Sequence, residues 1–432
     1  MSLFWLFGGA VIFVIIGLPI AFSLGWAGVA ALATQGRIPL LVFPQRLWAA
    51  IDSMPLLAIL YFVVAGELML QGGISKRLIN FVKIFFSWLR GSLAVVSILS
   101  CALFGALSGS ALATTAAIGS IMYWEMVKDN RYGSVYSATL QAVGGTLGTM
   151  IPPSIPLILY ANITNASIGD LFIGVVIPGL IMAFMYIIAT YYLIIKRGYD
   201  LQAEEKTVEK EKINPFHAFY EGIWALLMPV IVLGGIYGGI FTPTESAIVA
   251  CAYAMIVGFF IYKELNFKTL YGALTKSAVV SATIMLLVAT ASFFGWVMAI
   301  MNIPSKVTAF LSLIMGSKYV YLLVVNILFL ICGMFMETSV IILLIIPLLY
   351  RPAADLGINL IHFGVIACIN LSMGMITPPF GTSLFVAANM TSNKVEPMYK
   401  EVMLYCVTGF IGIMLVTYIE PLSLWLVSFM AK

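Results

Sequence analysis

Two adjacent prolines occur twice in this chain, each time inside a long apolar segment. Pro152-Pro153 lies within residues 133–163, and Pro378-Pro379 lies within residues 360–390. Adjacent prolines remove two backbone donors and clash with preceding carbonyls, so an α-helix must break there. In lipid such a break is tolerated only where the freed carbonyls find a partner or line a cavity, because an unpaired group costs several kcal/mol. A cation is one such partner, and paired breaks in two halves point to a transporter site.

The composition places these breaks in a membrane. The chain is 62% hydrophobic and 9% charged, against about 25% charged residues in soluble domains. Its apolar runs do not alternate with polar residues as barrel strands do. At roughly 20 residues per span, the chain has room for about 10–12 spans. We therefore predict an all-α polytopic membrane protein.

Several chemistries find no support in the sequence. The five cysteines all lie in apolar runs without metal-ligand spacing, and no Walker A loop occurs. The tryptophans and tyrosines suit interfacial belts better than a cofactor box. We expect no organic cofactor and no nucleic-acid partner.

Three landmarks recur at a nearly constant distance. Pro19 and Pro243 are 224 residues apart, the two proline pairs 226, and Ser110 and Ser339 229. This agreement indicates an internal duplication. Each half has five spans plus a hairpin, and an odd number of crossings gives the halves opposite topology. The sequence therefore predicts two inverted-topology repeats, as in many secondary transporters.

The expected boundaries follow from the apolar and polar runs. The first repeat is residues 1–195, a polar cytoplasmic linker is 196–215, and the second repeat is 216–432. The first repeat divides into scaffold spans with an interfacial arm, a re-entrant hairpin, a broken helix and a span, at 1–90, 92–126, 133–163 and 171–195. The second contains scaffold spans with an arm, a span, a hairpin, a broken helix and a last span, at 222–276, 278–300, 319–350, 360–390 and 401–428.

Basic residues predict the orientation. Threading the chain through these spans puts 16 Lys and Arg residues on one side and six on the other. The rich side is cytoplasmic by the positive-inside rule. Both termini are then periplasmic.

The tips of the two predicted hairpins carry hydroxyls, on Ser108 and Ser110 in the first and on Thr338 and Ser339 in the second. If the tips meet the broken helices near the midplane, hydroxyls and freed carbonyls form an all-oxygen cage. Hard cations take oxygen ligands, and sodium is the monovalent choice. The structural alternative is that serine and glycine merely permit close helix packing.

Three carboxylates lie within apolar segments, and ionisable groups there are functional candidates. Glu245 stands at a helix start, where a structural cap is the favoured role. Glu67 ends its span near the interface, where we expect it to be solvated. Glu337 sits at a hairpin tip and is a candidate proton or cation partner, so proton-driven uptake stays open.

At these residues the chain resembles a known family, the large membrane subunits of tripartite ATP-independent periplasmic (TRAP) transporters. The matching runs are Ala65-Gly66-Glu67-Leu68-Met69, Leu107-Ser108-Gly109-Ser110-Ala111-Leu112-Ala113-Thr114, Ile151-Pro152-Pro153-Ser154, Ile177-Pro178-Gly179, Thr242-Pro243-Thr244-Glu245 and Ile376-Thr377-Pro378-Pro379. The resemblance implies an elevator-type carrier driven by sodium in a bacterial inner membrane. It also implies a periplasmic binding protein that delivers an organic acid, and a separate small four-helix membrane subunit.

The resemblance also implies site residues. The sodium sites of the family map onto Ser108, Ser110, Gly148, Ile151, Pro152, Thr338, Gly374, Thr377 and Pro378. One departure is Tyr350-Arg351-Pro352, where relatives more often carry a smaller residue than Arg351. No Lys or Arg inside a span stands out as a carboxylate clamp, so hydroxyls, backbone N–H groups and helix ends are expected to hold the anion. The candidates are Ser108, Ser110, Ser154, Thr338, Gly381, Thr382 and Ser383.

The function expected from the sequence is sodium-coupled uptake of an organic acid anion, of the sialic acid or C4-dicarboxylate class. The nearest alternative is a stand-alone ion-coupled dicarboxylate or citrate carrier that needs no binding protein. A membrane enzyme or proton-pumping subunit would need several buried carboxylates, lysines or a haem-spaced histidine pair. A purely structural scaffold would not explain two breaks that each cost several kcal/mol.

Overall fold

The computed structural model describes residues 1–36, 38–86, 88–89, 91–128, 132–199, 215–307 and 317–430, without the side chains of 215–218. The helices of these ranges are joined by turns and loops, and no strand is found in them. Nine helical segments within the described ranges are long and apolar enough to cross a membrane. The prediction of an all-α polytopic membrane protein is confirmed. Most of the predicted linker, residues 200–214, lies outside the described residues.

In the first half, the described residues form ten α-helices. They are α1 (Gly9–Ile15), α2 (Ile20–Gln35), α3 (Val42–Ile51), α4 (Met54–Gln71), α5 (Ile74–Phe86), α6 (Ser92–Ser108), α7 (Ala111–Val127), α8 (Ser134–Met150), α9 (Ile155–Thr164) and α10 (Ile168–Arg197). A π-helical turn, Phe4–Gly8, leads into α1. Pro19 precedes α2, and Gly17 takes a φ of 95° in the turn between the two helices.

In the second half, the described residues form nine α-helices. They are α11 (Pro215–Tyr237), α12 (Pro243–Ile256), α13 (Phe267–Ile300), α14 (Lys318–Phe335), α15 (Thr338–Asp355), α16 (Leu360–Gly374), α17 (Thr382–Thr391), α18 (Val395–Tyr418) and α19 (Pro421–Met430). A second π-helical turn, Val257–Ile261, follows α12.

The helices pack as two bundles. The peripheral bundle consists of α1–α5 and α11–α13, and the central bundle of α6–α10 and α14–α19. The two bundles meet mainly at three places. Helix α4 lies against α6 and α9, α5 lies against α6, and α13 lies against α15. The central bundle contains the most deeply buried of the nine apolar segments, Ser134–Thr164, in which 94% of an 18-residue window is buried, against 28% in Phe219–Tyr237 of the peripheral bundle. The two proline-broken segments belong to the central bundle.

Two boundaries differ from those expected. The arm ending at residue 276 and the span 278–300 form one helix, α13, because no proline interrupts it and its lysines lie on an exposed face. Asn266 caps this helix by accepting hydrogen bonds from the N–H groups of Lys268 and Thr269. The expected last span 401–428 is divided between α18 and α19, because Pro421 has no N–H with which to continue the helix.

Candidate functional site

The first hairpin tip touches the first break. Helix α6 ends at Ser108, Gly109 takes a φ of 64°, and α7 begins at Ala111. Helix α8 ends at Met150 and the chain becomes helical again at Ile155. The Ile155 N–H donates to the Gly109 carbonyl at 3.2 Å. A Cβ at Gly109 would lie 2.8 Å from the Pro153 carbonyl oxygen, so the close approach requires glycine.

The second hairpin tip touches the second break in the same way. Helix α14 ends at Phe335 and α15 begins at Thr338. The Gly381 N–H, just past the second proline pair, donates to the Met334 carbonyl at 3.0 Å. At this tip the Glu337 carboxylate accepts hydrogen bonds from the N–H and the hydroxyl of Ser339, both at 3.0 Å. Each tip is thus bonded to the residues that follow its proline pair.

Glycines bring each hairpin against its broken helix backbone to backbone. A Cβ at Gly148 would lie 2.5 Å from the Ser110 carbonyl oxygen and would also collide with the Thr114 hydroxyl. A Cβ at Gly374 would lie 2.5 Å from the Cα of Gly333. The close-packing role of glycine is therefore present in both halves, together with the oxygen groups that a cation needs.

The carbonyls freed by the prolines mostly have protein partners. The Thr149 carbonyl accepts from the Ser154 hydroxyl at 2.7 Å and from the Cys368 thiol at 3.2 Å. The Gly374 carbonyl accepts from the Thr377 N–H at 2.9 Å, and the Met375 carbonyl from the Ser383 N–H at 3.0 Å. The fourth freed carbonyl is that of Gly148. In a continuous helix it would accept from the N–H of residue 152, but Pro152 has no N–H.

Hydroxyls cluster around Gly148. The Ser108 and Thr114 hydroxyls are 2.9 Å apart, and the Thr114 hydroxyl donates to the Ser110 carbonyl at 2.8 Å. The Ser110 hydroxyl itself accepts from the Ala113 N–H at 3.4 Å and caps α7. This first-half oxygen cluster brings together Ser108, Ser110 and Gly148, with Ile151 and Pro152 in the adjoining break. Thr114 was not singled out in the sequence, although it follows the tip by one helical turn.

In the second half, Glu337 and Thr338 lie at the hairpin tip, and the remaining candidates lie in the adjoining break. Thr338 is fully buried and its hydroxyl lies 3.3 Å from the Met375 sulfur. The Thr377 hydroxyl donates to the Met373 carbonyl at 3.0 Å, and Pro378 follows it directly. We group Glu337 and Thr338 of the tip with Gly374, Thr377 and Pro378 of the break as the second-half cluster, which holds a carboxylate where the first-half cluster has only neutral oxygens.

Small polar side chains join the two halves between these clusters. The Thr149 and Ser372 hydroxyls are 2.7 Å apart, and the Cys368 sulfur lies 3.7 Å from the Ser154 hydroxyl. All four residues are buried. Sequence reasoning selected Ser154 alone. The available signal was Cys368 and Ser372, two small polar residues one turn apart on a largely apolar helix.

The N-terminus of α17 presents the remaining substrate candidates. Gly381 takes a φ of 67° and starts the helix. The hydroxyls of Thr382 and Ser383 are buried, and neither has a hydrogen-bond partner within the described ranges. Unpaired hydroxyls at the positive end of a helix suit an anion.

The other charged candidates take structural roles. Thr242 and Glu245 form a capping box, in which the Thr242 N–H donates to the Glu245 carboxylate at 2.8 Å and the Glu245 N–H to the Thr242 hydroxyl at 3.2 Å. Glu67 lies 3.3 Å from the Lys276 ammonium and accepts from Gln71 at 3.0 Å, so it is paired rather than merely solvated. Arg351 is exposed and donates to the Tyr350 hydroxyl at 3.1 Å. Across the part of the chain described, no group of three or more His, Cys, Asp or Glu could hold a metal ion.

The chain is similar to proteins of one transporter family. Residues 7–422 match the model of the tripartite ATP-independent periplasmic transporter, DctM component. The C4-dicarboxylate TRAP transporter large permease of Vibrio cholerae is 38% identical over 95% of this chain and 94% of that protein. The sialic acid TRAP transporter large permease of the same organism is 34% identical over 95% of each.

A third relative is longer. The isethionate TRAP transporter permease of Oleidesulfovibrio alaskensis is 37% identical over 97% of this chain, which spans 65% of that protein. Among solved structures, the YdaH transporter of Alcanivorax borkumensis has a TM-score of 0.59 at 14% identity, over 91% of this chain and 90% of that one. This likeness shows the fold, that of a membrane transporter.

The family match extends over nearly the whole described chain and includes both proline breaks and both hairpin tips. It confirms the resemblance carried by the sequence motifs. The protein is a multi-pass transporter subunit and not an enzyme, and it belongs to the family of DctM components of tripartite ATP-independent periplasmic transporters.

Proposed function

We propose that this chain is the large permease of a system that takes up an organic acid anion and is driven by sodium. The observation that carries the proposal is the paired geometry, in which each hairpin tip is bonded to the break beside it and carries hydroxyl or carboxylate oxygens. The names of the relatives support the cargo class. Isethionate, C4-dicarboxylates, sialic acid and 2,3-diketo-L-gulonate are all organic acids.

The first sodium ion would occupy the first-half oxygen cluster. Ser108, Ser110 and Thr114 supply hydroxyl or carbonyl oxygens there, and the Gly148 carbonyl has lost its helical donor to Pro152. Ile151 and Pro152 contribute the extended backbone of the break. A cation placed among these groups would take the place of the absent N–H and stabilise a break that otherwise costs several kcal/mol.

The second sodium ion would occupy the second-half cluster. Glu337 supplies a carboxylate, Thr338 and Thr377 supply hydroxyls, and Gly374 and Pro378 supply the backbone of the break. An ionised Glu337 carboxylate would give this site a stronger electrostatic attraction for a cation than the first.

The anion would bind between the two ions. Its acidic group would lie at the N-terminus of α17, where Thr382 and Ser383 have unpaired hydroxyls beside Gly381. The hydroxyls of Ser108, Ser110 and Thr338 would complete the site, and the Ser154 hydroxyl would join them once it releases the Thr149 carbonyl. Sialic acid and a C4-dicarboxylate are the two substrate classes that this set of hydroxyls and one helix end would serve, and no lysine or arginine is required.

Transport would follow an elevator mechanism built on two inverted repeats. The central bundle carries both clusters and would move against the peripheral bundle, which meets it mainly through α4, α5 and α13. With two sodium ions per monoanion, one net charge enters per cycle. At 100 mV this contributes about 2.3 kcal/mol, or roughly 50-fold accumulation, before the sodium gradient itself is counted.

The partners would be a periplasmic binding protein, which delivers the acid, and a small four-helix membrane subunit. The chain would lie in the bacterial inner membrane with both termini in the periplasm. Family membership supports these assignments, and the basic residues support the orientation.

Reconstituted uptake tests the proposal. We expect no concentrative uptake by this chain alone, and uptake along an imposed sodium gradient once the small subunit and the cognate binding protein are added. Robust uptake by the lone chain would favour the stand-alone carrier. Uptake that follows an imposed proton gradient and ignores sodium would contradict the proposed coupling.

A further inference from the structure

A four-residue motif ends the helix that follows each proline pair. Ala161-Asn162-Ile163-Thr164 ends α9, and Ala388-Asn389-Met390-Thr391 ends α17. Both helices are ten residues long, and each is followed by a residue of positive φ, 56° at Asn165 and 54° at Ser392. Asn162 and Asn389, 227 residues apart, are therefore equivalent positions.

These equivalent asparagines have different surroundings. The Asn162 amide oxygen accepts a hydrogen bond at 3.0 Å from the hydroxyl of Ser53, which precedes α4. Helix α9 packs against α4, so this bond joins the central bundle to the peripheral one. Asn389 is exposed, and α17 packs mainly against α7, α8 and α18 of its own bundle. Asn389 thus has the same place in its repeat as Asn162, without the same contact with the peripheral bundle.

The peripheral bundle offers a matching hydroxyl. The 224-residue shift that relates Pro19 to Pro243 relates Ser53 to Ser277 and α4 to the middle of α13. The Ser277 hydroxyl is buried, at 1% exposure, and has no hydrogen-bond partner in the described part of the chain. Ser281, one turn further along, is in the same situation. A buried hydroxyl without a partner is uncommon and costs free energy.

We propose that these two contacts exchange during transport. In the conformation described here Ser53 holds Asn162, and in the opposite end state Asn389 bonds to Ser277 while Asn162 leaves Ser53. The inference rests on the proposed function, because it requires the central bundle to move against the peripheral one. Each end state then pairs one asparagine with one serine, so neither state loses a bond relative to the other.

Disulfide trapping tests the exchange in the complete transporter with its small subunit and binding protein. The pair Ser53→Cys/Asn162→Cys should crosslink in the resting protein. The pair Ser277→Cys/Asn389→Cys should crosslink when sodium and substrate allow turnover, and uptake should stop until the link is reduced. The mismatched pair Ser53→Cys/Asn389→Cys is the control and should not link. Peptide mapping separates these links from any formed by the five native cysteines.

Single substitutions give an independent measurement. Asn389→Leu removes the bond to Ser277 and so destabilises the opposite end state. In this background the yield of the 53–162 link should rise about two- to tenfold, the range expected for one lost hydrogen bond. In an Asn162→Leu background the yield of the 277–389 link should rise by a similar factor. Unchanged yields, or a 277–389 pair that never links during sodium-driven uptake, would overturn the exchange and leave the proposed function standing. If the unsubstituted complex shows no sodium-driven uptake, the proposed function itself is overturned.

Discussion

The two proline breaks share a sequence pattern and a hairpin contact, but their surroundings differ. In the first break Pro152, Pro153 and Ser154 are all buried. In the second break Pro379 is exposed, and Phe380, which occupies the position of Ser154, is 50% exposed. The Phe380 ring lies beside two other rings, with centroids 5.5 Å from Phe335 and 6.1 Å from Phe385.

The difference separates what the repeat determines from what the packing determines. The prolines and glycines give both halves a break in a buried helix and a backbone bond between that break and a hairpin. The covering of the break depends on which neighbour lies over it, and α4 lies against α9 but α17 packs within its own bundle. We interpret the sealed first break and the open second break as one end state of the proposed movement.

The tips also differ in charge. The shift of 229 residues that relates Ser110 to Ser339 relates Ser108 to Glu337. A neutral hydroxyl in one half thus corresponds to a carboxylate in the other. If both clusters bind sodium, the cluster with the carboxylate and the neutral cluster attract the ion with different electrostatic strength.

The largest effect is expected from filling the backbone contacts, which both halves share. Gly148→Ala or Gly374→Ala would place a methyl group against backbone atoms at about 2.5 Å, and overpacking of this kind costs about 1–3 kcal/mol. Because the strain falls on the contact between hairpin and break, we expect uptake to fall more than about tenfold in both variants. Gly272→Ala is the control, because nothing lies within 4 Å of its Cβ position. Normal uptake by either site variant at normal membrane levels would contradict the packing account.

Removing the carboxylate should affect sodium more than removing a neutral hydroxyl. Glu337→Gln keeps the size of the side chain and removes a charged ligand, and bonds to charged groups contribute about 1.5–3 kcal/mol. The sodium concentration for half-maximal uptake should rise roughly 10- to 150-fold. If this variant instead abolishes proton-driven uptake while Ser108→Ala has no effect, Glu337 serves a proton and the sodium assignment fails.

Removing one neutral hydroxyl should weaken sodium binding in either half. Ser108→Ala and Thr338→Val each leave a buried polar partner unmet, which costs about 1–3 kcal/mol, or roughly 5- to 150-fold in affinity. The sodium titration of uptake measures the change. Ser120→Ala, which removes a hydroxyl from the same helical hairpin outside either cluster, is the matched control and should leave the titration unchanged. Sodium dependence like that of the unsubstituted protein in both cluster variants would contradict the assignment.

The smallest effect concerns access to the two breaks. A cysteine at Phe380 should react with a water-soluble thiol reagent faster than one at Ser154, because the native side chains are 50% and 0% exposed. Conditions that favour the opposite end state should bring the two reaction rates closer together. Equal rates in the resting protein would show that the two breaks do not differ in accessibility.

Local features of the fold could be predicted from the sequence, because they depend on single residues. A proline pair ends a helix wherever it lies, and the helices do end at Met150 and Gly374. The tip at Gly109 follows from a glycine between two serines. The limits of α13 were misjudged because lysines near residue 276 were taken as a boundary, whereas a long helix carries them on its exposed face.

The contacts between halves could not be predicted. Thr149 and Ser372 are 223 residues apart, and the Thr149 carbonyl and Cys368 are 219 apart. Neither pair leaves a periodic signal, because both lie on helices that are buried on every face. The exposure of Phe380 likewise depends on how two bundles pack, and a local motif contains no information about that.

Equilibrium binding of radioactive sodium to the purified complex tests the central claim, one cation site in each half. We expect two ions per chain in the unsubstituted protein. At the same sodium concentration, one ion should remain after Ser108→Ala and one after Glu337→Gln, because each substitution disables the cluster of its own half. No bound sodium, or two ions retained in both variants, would contradict the account.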